Sequence, residues 1–292
     1  MSADYDVVIA GGGPVGAALA CALSGQGLRL AVIEARAPAA GPQDDVRTLA
    51  LAYGSRRILE ALDLWSALPA TPIHRIHVSE QGGCGVTRLD SDELQVPALG
   101  YVVTAADLGR VLQDRARSRP DIDWLCPATI DTVSLHPEAA RIGLLAANGS
   151  RILQSRLLVA ADGGRSAVRE RLGLGVLRRD YHQDAIIANL SLARSHGHIA
   201  YERFTPDGPL ALLPLEQQRG ALVMTVPRTR RDAVLGLDEH AFTERVAAGF
   251  GGRLPRITAC SARQHYPLQL VQAHQTVRHR AVVIGNAAHT LH

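Results

Sequence analysis

Apolar runs and polar breaks divide this chain into short, readable elements. Residues 7–10 (Val-Val-Ile-Ala) form an unbroken apolar run, followed by a glycine-rich break and a helical pattern. A second apolar run over 30–33 (Leu-Ala-Val-Ile) closes on Glu34. Continuous runs of this length, bounded by turn residues, read as strands buried on both faces. A polar loop rich in Pro, Gly and Asp is expected over 37–45. Residues 55–68 set Ile58, Leu59, Leu62, Leu64 and Trp65 on one side and predict a helix. Residues 74–80 alternate as a strand does, and Gly82, Gly83 and Gly85 turn it into a second strand over 86–89. Thr104 is placed to cap a helix running to about Arg117, with Val111 and Leu112 as apolar positions.

Asn148 and Gly149 between residues 142–145 and 151–153 predict a further hairpin. Residues 157–161 read as a buried strand that leads into Asp162, Gly163 and a short arginine-rich helix. Strand-like runs over 185–192, 199–204, 210–215 and 221–226 suggest a meandering antiparallel sheet. A helix is expected over 238–248 and a last strand over 281–284, ending in Gly285 and Asn286. The fold class is therefore α/β of mixed α+β character, a β-α-β fold interleaved with antiparallel sheet. Residues 1–72, 100–178 and 277–292 are expected in one domain, and 73–99 and 179–276 in the other.

The first β-α-β unit carries chemistry. Gly11, Gly13 and Gly16 fill the G-x-G-x-x-G spacing, and Glu34 stands 23 residues past Gly11. This is a dinucleotide-binding fingerprint. Gly11 allows the tight turn, Gly13 lets the backbone approach a pyrophosphate, and Gly16 lets helix and strand pack closely. The helix N-terminus offers N–H groups to the phosphates, and Glu34 is suited to the hydroxyls of an adenosine ribose. The stretch between Asp6 and Arg29 has no charge, yet the run Gly-Gly-Gly-Pro at 11–14 would break a membrane helix near its start. Asp4 and Asp6 stand where a signal peptide needs a basic region, so no targeting segment is expected.

Composition narrows the choice of chemistry. The formal charge of +3 is too small to argue for nucleic acid. All 31 basic residues are arginine, which excludes Schiff-base and P-loop lysine mechanisms. Cys21, Cys84, Cys126 and Cys260 are scattered with no C-x-x-C pair, as in a cytosolic protein with reduced thiols. His74 with His77, and His289 with His292, have H-x-x-H spacing but no third ligand, so no metal is expected. No Ser-His-Asp set or paired carboxylates stand out, and no catalytic acid or base is assigned.

Three motifs stand in order: the glycine turn at 11–16, Ala-Asp-Gly-Gly-Arg-Ser-Ala-Val-Arg at 161–169, and Gly-Asn-Ala-Ala-His-Thr at 285–290. Together they resemble the group A flavoprotein aromatic monooxygenases, which have the p-hydroxybenzoate-hydroxylase fold. Arg-Thr-Leu-Ala-Leu-Ala at 47–52, Asp-Tyr-His-Gln at 180–183, the run 202–214, Tyr-Pro-Leu at 266–268 and Asn286 are similar to the ubiquinone-biosynthesis branch. The resemblance implies a Rossmann-like FAD-binding domain and an antiparallel-sheet substrate domain. It implies FAD as cofactor, NAD(P)H as reductant and O2 as co-substrate, in the hydroxylation of a prenylated phenol. The oxygen chemistry would be borne by the flavin. The motif residues Gly11, Gly13, Gly16, Glu34, Asp162, Gly163, Gly285 and Asn286 are then expected at FAD, with Arg47 and Arg110 reaching its phosphates. Asp162 has a plainer alternative as a helix cap, and Arg47 and Arg110 as solvated charges. Arg165 and Arg169 read as solvated or in passing contact with NAD(P)H. Leu212, Leu213 and Pro214 are the expected substrate lining, unless they are simply sheet core.

The same resemblance implies a cytoplasmic protein, with peripheral contact to the inner membrane and to other ubiquinone-biosynthesis enzymes left open. The family pattern continues past the third motif into a Pro-x-x-Gly-Gln-Gly loop. A chain ending at His292 is therefore expected to be a shortened form. Two alternatives stand beside this reading: a flavin reductase or dehydrogenase of similar fold that inserts no oxygen, and a non-catalytic subunit of a quinone-biosynthesis complex.

Overall fold

The computed structural model describes residues 3–37, 47–147 and 149–291. Apart from Ala37, the polar loop expected over 37–45 lies outside the described residues, as do Asn148 of the expected turn and His292. The chain forms two compact units. One comprises Met1–Gln43, Leu108–Asp180 and Gln269–His292, and the other Asp44–Asp107 and Tyr181–Leu268.

The first unit is built on a parallel sheet with β1 (Tyr5–Ala10) at its centre. β1 pairs in parallel with β2 (Leu30–Ile33), with Val7 opposite Leu30 and Ala10 opposite Ile33. On its other side it pairs in parallel with the end of the strand Gly149–Ala160. Ile122–Leu125 extends the sheet beyond β2, and Ala281–Val283 extends it at the other side, both in parallel. Strands covered on both faces need apolar residues at consecutive positions, which is why β1 and β2 read as unbroken runs. The crossover helix α1 (Pro14–Leu23) starts with Pro14 in its first turn and buries only small residues, Gly16, Ala17, Ala20 and Cys21. Small side chains let the helix lie close to the sheet.

Strand Gly149–Ala160 has two roles. Its first part is antiparallel to Ala140–Ala146, and its last part is parallel to β1. The sequence pattern divides it at Gln154, Ser155 and Arg156, whereas the structure keeps one strand with Ser155 buried. Ile122–Leu125 and Ala128–Leu135 are strands the pattern does not signal. The core of this unit joins Val8, Ala31, Ile33, Leu158, Ala160, Ile142, Leu144 and Val168.

In the second unit, Thr48–Ala52, Gly100–Thr104 and Thr71–Ile73 form a small antiparallel sheet. A larger sheet holds Ile199–Thr205, Gly208–Pro214 and Arg219–Pro227 as a meander. The expected simple meander is corrected at both ends. The strand that precedes these three returns to pair with the last of them, with Asp184 opposite Val226, and Ile199–Thr205 pairs in parallel with Arg75–Glu80. Helix Glu239–Phe250 covers one face of this sheet. Asp238 caps it by accepting the Ala241 N–H at 2.7 Å, and Phe242, Val246 and Phe250 are buried against Ile186, Leu190, Leu212 and Leu222. The helix expected over 55–68 ends sooner: Tyr53–Ala61 is helical, Asp63 takes a left-handed φ of 56°, and a 3-10 turn follows over Trp65–Ala67.

The two units divide at other points than those expected from the pattern. Residues 44–72 and 100–107 fall with the antiparallel unit, because Ile73 and Val102 pack with Ala200, Leu215 and Ala221. Residues 269–276 fall with the first unit, where Val271 and Gln272 pair with Thr290 and His289.

Helix Arg228–Leu235 is tethered by two carboxylates. Asp184, with 1% of its side chain exposed, meets Arg228 at 3.3 Å and Arg231 at 3.1 Å. Asp207, 27% exposed, meets Arg230 and Arg245. A buried carboxylate gains more from its partners than one screened by water. Asp184→Ala is therefore expected to lower the urea midpoint further than Asp207→Ala.

A pH dependence follows from His196, which is buried. Its Nδ1 accepts the His198 N–H at 3.0 Å, so Nε2 carries the proton that is donated to the Leu215 carbonyl at 2.7 Å. Burial first, and His198 second, hold this imidazole below its ordinary pKa. The folded chain thus takes up this proton at lower pH than the unfolded chain. Its contribution to stability is full above about pH 6.5 and falls as pH drops below that value. Thermal melts between pH 8 and pH 5 should show this slope, and His196→Gln should flatten it.

Candidate cofactor site

The glycine turn is shaped by contacts that only glycine permits at two of its three positions. Gly11 has φ +104°, and a Cβ there would lie 2.5 Å from the Ala161 carbonyl oxygen. A Cβ on Gly16 would lie 1.9 Å from the Gly11 carbonyl oxygen. Gly13 differs: a Cβ on it would meet no atom of the described residues within 4 Å. Among the described residues nothing requires glycine at 13, and the position stands open at the N-cap of α1. The first intrahelical acceptor is reached by Ala17, whose N–H donates to Gly13 O at 2.9 Å. The N–H groups of Gly13, Val15 and Gly16 precede it and have no partner within the helix. Such a helix start suits an anion.

Glu34 closes the unit at the end of β2. Its Oε2 accepts the Gly12 N–H and its Oε1 the Arg36 N–H, each at 2.8 Å. The carboxylate is held in place while each oxygen keeps a further lone pair for a ligand hydroxyl. Two supports have no fingerprint in the sequence. Gln113 Nε2 donates to Gly12 O at 3.0 Å, and the Trp124 ring fills the space where a Cβ on Gly12 would stand.

The three motifs meet at this helix start. Gly11 lies against the backbone of Ala161 and Asp162. Gly164 lies against Thr290 and the Asn286 carbonyl. Gly285, with φ +59°, lies against Val15 at the start of α1. Each glycine therefore sets one turn against the next. Asp162 organises the second turn: its carboxylate accepts from the Ser166 hydroxyl and from the Val168 N–H at 3.0 Å. Ser166 Oγ in turn caps the following helix by accepting the Arg169 N–H at 2.9 Å. Asp162 thus has a capping role in the structure. Asn286 is exposed beside Gly285 in a 3-10 turn.

Arg169 corrects its sequence reading. It is fully buried, neither solvated nor open to a passing ligand. Its Nη1 donates to the Ala287 carbonyl at 2.7 Å, and both Nη atoms reach the Gly164 carbonyl at 3.3–3.4 Å. It ties the turn at 162–164 to the turn at 285–287.

The remaining expected residues are distributed as follows. Arg110 is exposed on the helix Ala105–Arg117, whose start Thr104 caps by accepting the Asp107 N–H at 2.9 Å. Arg47 belongs to the second unit, where its guanidinium lies 5.6 Å from the Tyr266 ring centre. Gly163 sits in the second turn with φ +86°. Leu212 is completely buried in the core with Phe242, Val246 and Phe250. Leu213 points to the opposite face of the strand, near Ile73, Val102 and Ala200. Pro214 ends that strand and is buried.

A β-α-β cradle joined by two further glycine turns defines a flavin-adenine-dinucleotide-binding protein. Residues 4–292 match the FAD binding domain family, and the chain belongs to it. It is 34% identical over 291 residues to the ubiquinone hydroxylase UbiL of Rhodospirillum rubrum, covering 98% of this chain and 67% of that protein. It is 31% identical over 293 residues to the 3-demethoxyubiquinol 3-hydroxylase of Escherichia coli, covering 98% of this chain and 74% of that one. Among solved structures, p-nitrophenol 4-monooxygenase PnpA from Pseudomonas putida aligns with a TM-score of 0.78 at 18% identity, over 99% of this chain and 74% of that chain. That likeness shows the fold, which is p-hydroxybenzoate-hydroxylase-like.

Proposed function

We propose that this chain is an FAD-dependent monooxygenase that uses NAD(P)H and O2 to hydroxylate the ring of a prenylated phenol in ubiquinone biosynthesis. The observation that carries the reading is the convergence of three glycine turns on one helix N-terminus. Similarity to two ubiquinone hydroxylases over nearly the whole chain supports the substrate class. In this reading the N–H groups of Gly13, Val15 and Gly16 hold the pyrophosphate, with the α1 dipole favouring its charge. The Glu34 carboxylate, pinned by two backbone N–H groups, accepts the adenosine ribose hydroxyls. Gly285 and Asn286 would face the ribityl chain, Asp162 and Gly163 keep the second turn in shape, and Arg110 would supply charge to the phosphates. When bound, FAD supplies the redox and oxygen-transfer chemistry. The chain's task is to orient it, and to offer an apolar, water-poor surface, with Leu213 a part of it, to the substrate ring.

The test is direct. Denatured protein should release FAD, identified by absorbance and chromatography. With NAD(P)H, a polyprenyl phenol should stimulate O2 uptake and yield a product one oxygen heavier. NAD(P)H oxidation without that product would favour a reductase. A chain that takes up no flavin would favour a non-catalytic subunit.

A further inference from the structure

A second cluster of polar groups lies in the antiparallel unit. Strand pairing sets His77 opposite Tyr201, Ser79 opposite Arg203, and His77 opposite Arg88, so these side chains share one face of the sheet. Helix Glu239–Phe250 lies on that face, with the Phe250 ring against Tyr201. Gly251 ends the helix with a left-handed φ of 60°, and Arg253 Nη1 turns back onto the Phe250 and Gly251 carbonyls at 3.3 and 3.4 Å.

The result is a gathering of positive charge. Arg203 is only 7% exposed, and its Nη1 donates to Ser79 Oγ at 3.1 Å. Among the described residues its Nε is buried without a partner, as is Nε2 of His77. The point where a Cβ on Gly251 would stand is 3.0 Å from Arg253 Nη1 and 3.4 Å from Arg203 Nη2, so the two guanidinium groups are neighbours. Among the described residues, none of Arg88, Arg203 and Arg253 pairs with a carboxylate. The helix C-terminus offsets only about half a charge. The His77 imidazole registers the excess: burial, then Arg88, Arg253 and Arg203, hold its pKa down.

Buried or crowded guanidinium groups without a counter-charge are costly unless an anion completes them. Donors arriving from three strands and a helix end call for a ligand with several acceptor oxygens on one centre. We propose that the face formed by His77, Arg88, Arg203 and Arg253 binds a phosphate group, at a site separate from the glycine cradle. Val86, 45% exposed on the same strand face as Arg88, gives the site an apolar border. The phosphate therefore has two natural sources, a lipid headgroup or a soluble phosphate.

The experiment uses the full chain with FAD at saturation, so that the cradle is filled. Inorganic phosphate is titrated by calorimetry, with chloride at equal ionic strength as control. Binding is expected, and the double variant Arg88→Ser/Arg253→Ser, whose targets lie at the rim, should bind about a hundredfold more weakly, about tenfold for each lost hydrogen bond to a charged group. Circular dichroism checks that the variant is folded. In parallel, both proteins are sedimented with phosphatidylcholine vesicles with and without phosphatidylglycerol. Retention that needs phosphatidylglycerol and is lost in the variant assigns the phosphate to a lipid. Phosphate binding without retention assigns it to a soluble ligand. Absence of both in the parent chain, or equal binding by the double variant, overturns the proposal.

Discussion

Gly13→Val is expected to leave the chain folded and to remove its FAD, whereas Gly16→Val should prevent folding. The two glycines belong to one fingerprint but are needed for different reasons. At 16, a Cβ would stand 1.9 Å from a backbone oxygen of the same turn. No rotamer relieves a backbone clash, and the cost should exceed about 3 kcal/mol, a large share of a typical total stability. At 13, φ is −68°, a value valine adopts freely, and among the described residues a Cβ meets nothing within 4 Å. The folded chain loses only a favourable N-cap residue, about 1 kcal/mol. The valine methyls would fill the space through which a pyrophosphate reaches the N–H groups of Gly13, Val15 and Gly16. Losing two charge-assisted hydrogen bonds costs about 3 kcal/mol or more, over a hundredfold in affinity. Thermal melts of the two apo variants, with FAD titration of Gly13→Val, check both halves. A Gly13→Val protein with normal flavin content would show that the cradle is not the phosphate site.

What the sequence makes legible here follows from local constraint. Strands buried on both faces must be apolar at consecutive positions, so β1 and β2 are plain. A turn that only glycine can form leaves glycine at fixed spacing. The cap at Thr104 is legible because one side-chain oxygen answers one nearby N–H. Long-range pairing is harder to read. The half-exposed strand Ala128–Leu135 carries mixed polarity, and no local pattern shows that Asp184 and Val226 are sheet neighbours. The run 210–215 is apolar on both faces, so the pattern could not show that Leu212 faces the core under the helix while Leu213 faces the other way. Arg169 is the sharpest case. In an arginine-rich stretch it reads as solvated, because the carbonyl that holds it belongs to Ala287, 118 residues away.

That distance makes Arg169 the most informative single position after the glycines. Arg169→Met should lower stability by about 2–4 kcal/mol, because methionine fills the volume but leaves the buried Ala287 carbonyl, and the Gly164 carbonyl beside it, without a donor. Arg169→Lys should recover only part of this, since one ammonium cannot reproduce a planar fork that serves two carbonyls. FAD affinity should fall in both variants, although a fully buried guanidinium touches no ligand. Its effect passes through the turns at 162–164 and 285–287, which it holds together. Hydrogen exchange separates this from a direct contact. In apo protein the amides of 163–168 and 284–290 should exchange faster in Arg169→Met than in the parent chain, while those of β1 and β2 change little. FAD at saturation should restore most of the protection, because a ligand that bridges the two turns does part of the arginine's work. Equal exchange in the two apo proteins, together with weakened FAD binding, would mean that Arg169 acts on the cofactor itself and that the strut between the turns is not its function.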